Sequence, residues 1–394
     1  HLDFLLSAGL YQLENGRRPR VAVISDLPRL SPAEALEDYH KKGLIPPSGA
    51  DVYSQLKELL SNNLYDVQHI NPKDPILPPE SDVLLWLQPR RDSTPVIDLL
   101  SGHLQQGKNA IVALQHFNIQ QRQYRGNGFQ TVYWPQPQFQ DFDRFSRLYG
   151  VEQVREVLFD RTQSHLDLET QVNRTAVREY DAQQVALPFL IRAVAPNYRR
   201  QSALTRHLGD LLFIWGNRFA LNSERLAEIG MDAQVLVSTS ERSWAYAWSG
   251  GWLPPDVFSS SDYLQGTQPL AVQLTGLFNR ARFSEDAGGR SQIELGEKAL
   301  GTSQLLLVGS SEMFKNEYLY AAGFQHDQFL LNAVAHMAYG EALAELQARR
   351  PVSRGFAFQN PQAKSAWRAV SIGLAPLLFA LYGALRLHRL RGRS

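Results

Sequence analysis

The chain has 394 residues, with 40 lysines and arginines against 39 aspartates and glutamates, and it contains no cysteine. This length indicates either two domains or one large α/β domain with insertions. A net charge of +1 argues against a nucleic-acid-binding protein. The absence of cysteine excludes disulfides, thiolate zinc sites, Fe–S clusters and a cysteine nucleophile.

The N-terminal third predicts alternating helices and buried strands. Residues 1–16 read as a helix fragment that begins abruptly, as if an upstream region were missing from this sequence. Continuous apolar strands then alternate with helical stretches; the strands are VAVISD, YDVQHI, DVLLWLQ and NAIVALQHF. Such runs, joined by helical crossovers, predict a mainly parallel sheet with helices on both faces, of the flavodoxin-like kind.

Two insertions are expected in this domain, near 118–182 and near 240–300. Residues 118–138 are rich in Gln, Gly and aromatic residues and predict a long loop or a hairpin, after which a helix ends at Gly150. LLFIWGN, AQVLVSTS and PLAVQLTGLF predict further strands, and Asn222 is expected to cap a helix. Residues 281–299 predict a charged surface loop.

Three tryptophans recur every fourth residue, at Trp244, Trp248 and Trp252. The glycines and prolines around them argue against a helix, so a loop or strand is expected. One interpretation is packing in the core or between domains. The other is a contact surface for a partner or a sugar-like ligand.

The last strong strand, TSQLLLVGSSE, is expected to run into helices over 315–320 and 327–348. We assign the α/β domain to residues 17–340. A linker, which takes in the end of the second helix, is assigned to 341–366.

The C-terminal end predicts a membrane anchor. No charge occurs between Ala369 and Leu385, a run that spans roughly 25 Å as a helix. We predict a transmembrane helix over 367–387 and a cytoplasmic basic tail over 388–394, which places the globular domain outside the bacterial cytoplasmic membrane, in the periplasm or beyond. A buried core helix is the alternative. The residues expected to position the anchor are Trp367, Gly373, Pro376, Tyr382, Gly383 and Arg386.

Polar residues follow the first and last strands of the predicted sheet. Ser25 and Asp26 end the first strand, and Ser310, Ser311 and Glu312 end the last. They form either a small ligand site at the strand ends or a set of helix caps. No phosphate-binding loop, nucleophile elbow or metal-ligand spacing occurs, so we predict no catalytic residue, no metal and no cofactor.

Two C-terminal motifs carry a family resemblance. One is Gly309-Ser310-Ser311-Glu312-Met313-Phe314-Lys315-Asn316, and the other is the stretch from Phe329 to Ala338. Their order, together with the strands and the terminal apolar run, resembles the GldG-like auxiliary component of gliding-motility-type ABC transporters. The resemblance implies an amidotransferase-like sheet, here without the cysteine nucleophile, and a complex with an ABC permease and an ATPase.

The leading hypothesis is therefore a non-enzymatic extracytoplasmic subunit of an ABC transporter. Its expected partners are the permease and ATPase, membrane lipid, and an envelope protein or glycan, but no nucleic acid. It would handle substrate or couple ATP-driven motion to the envelope partner. One alternative is a membrane-tethered hydrolase that uses Ser25, Asp26 and a histidine. Another is a free-standing anchored binding or scaffold protein.

Overall fold

The computed structural model describes residues 6, 8–9, 11–13, 16–25, 51–89, 93–125, 129–162, 187–285 and 291–348. The chain divides into two compact units, 1–349 and 350–394, and every described residue lies in the first. Asp26, the predicted transmembrane helix and all six anchor residues lie outside the described residues. Within the described ranges, no helix combines the length and apolarity needed to cross a bilayer.

The strands and helices follow in chain order. The strands are β1 (Arg20–Ser25), β2 (Asp66–Ile70), β3 (Val83–Leu87), β4 (Asn109–Ala113), β5 (Phe117–Arg125), β6 (Phe129–Pro137), β7 (Val151–Gln153), β8 (Val157–Asp160), β9 (Leu190–Ala193), β10 (Leu211–Ile214), β11 (Phe219–Leu221), β12 (Asp232–Ser238), β13 (Ser243–Tyr246), β14 (Pro269–Leu277), β15 (Ala281–Glu285), β16 (Ser291–Leu295) and β17 (Thr302–Val308). The α-helices are α1 (Ser54–Asn62), α2 (Thr94–Gln105), α3 (Phe142–Leu148), α4 (Ser223–Glu228), α5 (His326–Tyr339) and α6 (Glu341–Ala348).

A seven-stranded sheet forms the centre, in the order β2-β1-β3-β4-β17-β14-β12. The first five strands run parallel to one another, whereas β14 runs antiparallel to β17 and β12 runs antiparallel to β14. The mostly parallel sheet predicted from the apolar runs is confirmed. β14 lies inside the range expected to be an insertion, yet it is an integral strand of the main sheet.

Helices cover both faces of this sheet, as the continuous apolar strands predict. On one face, α1 and α5 pack against the odd-numbered positions of β3, such as Leu85. On the other face, α2 and α3 pack against the even-numbered positions, such as Trp86. Every side chain of β3 is buried, because successive residues of a strand point to opposite faces and both faces are covered here.

Among the described residues, five two-stranded sheets accompany the main sheet: β5-β6, β7-β11, β8-β13, β9-β10 and β15-β16. The hairpin expected over 118–138 is confirmed as β5 and β6. The prediction of a surface loop over 281–299 is wrong, because Ala281–Glu285 and Ser291–Leu295 pair as antiparallel strands. Phe283 and Ile293 of this hairpin are partly buried and pack against the α2 face of the main sheet. Charged and polar residues alternate with them, so the sequence resembles a surface loop.

The region after β17 also departs from the sequence prediction. Residues 315–320 form turns rather than a helix. The helix expected over 327–348 breaks at Gly340, whose φ is 83° and which separates α5 from α6. Gly150 does end α3 as predicted, with a φ of 72°, and the Asn222 side chain accepts a hydrogen bond from the Arg225 backbone N–H at the start of α4.

The last strand in the order, β12, is irregular. Its register with β14 shifts twice, between Val235 and Val237 and between Val237 and Ser238. On its other side, Val237 forms an isolated antiparallel bridge with Tyr198, and the Arg199 backbone N–H donates to the Leu236 carbonyl. This end of the sheet is therefore twisted and partly covered.

Candidate functional site

The carboxyl ends of the parallel strands meet at one edge of the main sheet. β1 connects to β2 on one side and β3 connects to β4 on the other, so the topological switch point lies between β1 and β3. Ser25 pairs with Leu87 in the register, which places Gln88 one residue beyond Ser25. Open α/β sheets bind ligands at such switch points.

Gln88 is the unusual residue at this edge. Its φ is 53°, in a region that non-glycine residues seldom adopt, and its side chain is fully buried (0% exposed). The backbone N–H donates to the Ala113 carbonyl at 2.9 Å, but neither the side-chain Oε1 nor Nε2 has a hydrogen-bond partner among the described residues. Backbone strain and an unsatisfied buried amide each cost about 1–3 kcal/mol, and such costs concentrate at functional sites.

The position of Gln88 also has chemical meaning. A strained residue between a buried strand and a following helix is where α/β hydrolases hold their nucleophile. Here that position, between β3 and α2, holds a carboxamide. An amide is not a nucleophile, but it both donates and accepts hydrogen bonds. The geometry therefore suits recognition of a polar group rather than attack on one.

The two predicted serines that follow the last strand form hydrogen bonds to neighbouring segments of the protein. Ser310 Oγ donates to the Ile214 carbonyl at 2.9 Å. The Ser311 backbone N–H donates to Gln115 Oε1 at 3.1 Å, and Gln115 Nε2 donates to the carbonyls of Phe117 and Trp215. Ser311 precedes a short 3₁₀ turn, Glu312–Phe314, but its side chain makes no capping hydrogen bond. The capping interpretation of Ser311 is therefore wrong.

Asn217 joins the ends of β4 and β17. Its side-chain Nδ2 donates to the Gly309 carbonyl at 2.9 Å, and its Oδ1 accepts from the His116 backbone N–H at 3.2 Å. A Cβ on Gly309 would meet the Asn217 carbonyl oxygen at 2.2 Å, so only glycine allows the two backbones to approach this closely. Residues 214–217 thus lie across the ends of these two strands.

Two ionisable groups belong to the same edge. Glu312 is buried and forms an ion pair with Lys315, so the predicted site carboxylate is already neutralised. Burial lowers the pKa of His116 to about 4, which keeps its ring neutral at pH 7. His116 Nε2 has no hydrogen-bond partner among the described residues. The hydroxyls of Ser310 and Ser311 bond to a carbonyl and to Gln115 rather than to a histidine.

The three tryptophans have separate roles. Trp244 lies on β13, is buried, and donates from Nε1 to the Val257 carbonyl at 2.7 Å. Trp248 Nε1 donates to the Gly251 carbonyl. Trp252 is 40% exposed and meets Trp134 of the β5–β6 hairpin edge to face. Core packing therefore explains Trp244, whereas Trp252 remains on the surface.

The sequence predicted Ser25, Ser310, Ser311 and Glu312 at strand ends. In the structure Ser25 is the last residue of β1, whereas Ser310, Ser311 and Glu312 lie two to four residues beyond the end of β17. The sequence prediction missed Gln88, Gln115 and Asn217. A signal for the two glutamines was present, because each directly follows or interrupts a buried apolar run. Residues 163–186 lie outside the described part of the chain. Among the described residues, no cluster of three or more His, Asp or Glu side chains could hold a metal ion.

The fold and this edge define a doubly wound α/β protein with a polar strand-end site. The model of a family described as an ABC-type uncharacterized transport system matches residues 18–333, and the chain belongs to this family of auxiliary transport components. The resemblance drawn from the terminal motifs is thereby confirmed. Comparison with curated proteins gives no match. Among solved structures, the chain is similar to a ThuA-like protein from Bacteroides uniformis, with 9% identity and a TM-score of 0.36, over 80% of this chain and 92% of that one.

Proposed function

We propose that the chain is the membrane-anchored, extracytoplasmic auxiliary subunit of a gliding-motility-type ABC transporter at the bacterial inner membrane, with its α/β domain in the periplasm or outside. Family membership supports the link to ABC transport. The uncharged run from Ala369 to Leu385 and the arginine-rich tail after it support the anchor. The subunit acts without catalysis, by handling substrate or by coupling ATP-driven motion to an envelope protein or glycan.

The observation that carries the non-catalytic role is Gln88. A fully buried carboxamide on a strained backbone, with both polar atoms free of partners in the described chain, occupies the switch point where a hydrolase would hold its nucleophile. At the same edge of the sheet, Ser310 Oγ donates to the Ile214 carbonyl and Ser311 Oγ donates to Gln115 Oε1. The edge is therefore better suited to binding a polar ligand than to hydrolysing one.

The partnership is tested by purification from membranes. The full chain, tagged and solubilised in detergent, is expected to co-purify with a permease and a Walker-motif ATPase, and deletion of residues 366–394 is expected to abolish that association. A truncated chain that retains both partners would contradict the anchor as the point of contact. Proteolysis of intact spheroplasts checks the orientation, because an extracytoplasmic domain is digested from outside.

The binding role is tested at Gln88 itself. Native mass spectrometry of the purified full chain is expected to show a small polar ligand on the wild type that is absent from Gln88→Met. This substitution preserves the side-chain volume and removes the donor and acceptor. Gln304→Met is the matched control: Gln304 lies on the same sheet, its Oε1 is likewise buried without a partner, and it is away from the switch point. Equal loss of ligand in both variants would contradict the assignment.

A further inference from the structure

A second feature lies apart from the switch point, on the surface formed by the ends of β8 and β12 and the start of β13. It is an open cavity of roughly 570 Å³, a volume within the range of small-molecule sites. Its lining includes Arg161, Thr162, Asn197, Ser240, Glu241 and Arg242.

Arg161 is held in one orientation. Its guanidinium lies over the ring of Trp244, 4.9 Å from the ring centre, and Trp244 is itself buried and hydrogen-bonded to the backbone. The guanidinium also donates from Nε to the Tyr263 hydroxyl and from Nη2 to the Ser260 carbonyl, each at 3.2 Å. A stacked and doubly hydrogen-bonded arginine loses little freedom when it binds a ligand.

A second arginine converges on the same phenol. Arg242 lies over Tyr263 at 5.6 Å, and its Nη2 is 3.5 Å from the Tyr263 hydroxyl. The side chains of both arginines donate to hydroxyl or carbonyl oxygens, and in the described part of the chain no carboxylate forms an ion pair with either. Hydrogen bonds from Arg161 and then Arg242 lower the pKa of Tyr263, which reports the positive field at this point.

The loops that carry these arginines are tied together by a buried carboxylate. Asp160 is 0% exposed and accepts hydrogen bonds from the backbone N–H groups of Thr162 and Ser240, both at 2.7 Å, and from Ser240 Oγ at 2.5 Å. It therefore fixes the two loops relative to each other. The arginines project from a rigid base rather than from independent loops.

We propose that this cavity binds a hydroxylated organic anion of sugar-acid size. The two guanidiniums bind the acidic group, and hydroxyl side chains such as Thr162 and Thr267, which also lines the cavity, bind the ligand's hydroxyl groups. Glu241 opposes the anion and limits its affinity. This proposal does not depend on the function assigned to Gln88, since the two sites share no residue.

Isothermal titration of the full chain with D-glucuronate, D-glucose and inorganic phosphate tests the proposal. Glucuronate is expected to bind more tightly than either glucose or phosphate. Arg161→Gln and Arg242→Gln are each expected to weaken glucuronate binding by roughly tenfold or more, because each removes a charge-assisted hydrogen bond. Glu241→Gln is expected to strengthen it by a few fold.

The controls separate binding at this cavity from a loss of folding. Arg206→Gln removes an exposed arginine paired with Glu345, outside the cavity, and is expected to leave glucuronate binding unchanged. The opposite signs expected for Arg161→Gln and Glu241→Gln would not arise from a general loss of folding. The proposal is overturned if glucuronate does not bind at about 10 mM, near the weakest affinity of interest. It is also overturned if glucose or phosphate binds as tightly as glucuronate, or if the arginine variants bind glucuronate with the affinity of the wild type.

Discussion

Gln88→Met should stabilise the ligand-free protein, although it changes a fully buried residue. The substitution keeps the length and volume of the side chain and removes two polar atoms that have no hydrogen-bond partner among the described residues. Relief of that desolvation is worth about 1–2 kcal/mol in the free energy of unfolding. The variant keeps the strained φ of 53°, so the change in stability measures the contribution of the side-chain amide and not that of the backbone strain.

Gln115→Met is the matched comparison, because Gln115 is equally buried at the same edge but its amide is fully used. Its Oε1 accepts from the Ser311 backbone N–H, and its Nε2 donates to the carbonyls of Phe117 and Trp215. Removing these bonds leaves buried backbone groups unpaired and should cost about 2–4 kcal/mol.

Thermal and urea unfolding of the two variants, followed by circular dichroism, measures both effects. A gain of 1 kcal/mol should raise Tm by about 1–2 °C in a chain of this size. The expected result is a rise for Gln88→Met and a clear fall for Gln115→Met. A fall of similar size in both would refute the reasoning, since it would mean that the Gln88 carboxamide is a structural group with partners of its own.

Three further outcomes follow from the packing. Gly309→Ala should lower the free energy of unfolding by about 2–4 kcal/mol, because its Cβ would lie 2.2 Å from a backbone oxygen. Gly102→Ala in α2 should raise the free energy of unfolding by about 0.5–1 kcal/mol, since its Cβ would meet nothing closer than 3.9 Å. Asn222→Ala should cost about 1 kcal/mol through loss of the α4 cap, and Asn222→Ser should cost much less. His326 accepts from the Leu212 N–H at Nε2, so its Nδ1 carries the proton donated to the Tyr318 carbonyl, and burial lowers its pKa to about 4. The unfolded histidine binds a proton at higher pH than the folded one, so stability should be complete above pH 6.5 and fall by up to about 3 kcal/mol as the pH drops to 4.

Each of these has a result that would contradict it. Denaturation in urea would show equal effects for the two glycine variants if backbone crowding were unimportant. The cap argument would be wrong if the alanine and serine variants of Asn222 unfolded together. For His326, ring resonances followed by NMR should remain those of the neutral form down to about pH 5, and titration near pH 6.5 would disprove the buried neutral ring.

The main sheet could be predicted because its parallel strands are continuous apolar runs, which are typical of strands buried on both faces. β3 is the clearest case, since both of its faces are covered and no polar residue interrupts it. β15 and β16 were missed because one of their faces is exposed, which mixes charged and apolar residues as a loop does. The break at Gly340 was missed because a glycine inside a helical pattern is usually tolerated.

The candidate site was predictable in place but not in composition. Polar residues at the ends of apolar strands indicate the ligand edge of an α/β sheet, and Ser25 and Ser310 were found in this way. The position of Gln88 directly after an apolar run is visible in the sequence, but its backbone angle and its lack of partners among the described residues are not. Asn217 acts across about 90 residues of chain, on Gly309, and such contacts appear when the strands are assembled.

The irregular end of the sheet has a consequence for assembly. A regular, flat edge strand offers a row of backbone donors and acceptors that a second copy can extend, which is how sheets aggregate. The two register shifts in β12 and the bridge from Tyr198 interrupt that row. Sheet-to-sheet polymerisation of the α/β domain through this edge is thereby discouraged, even where many copies of the chain lie close together.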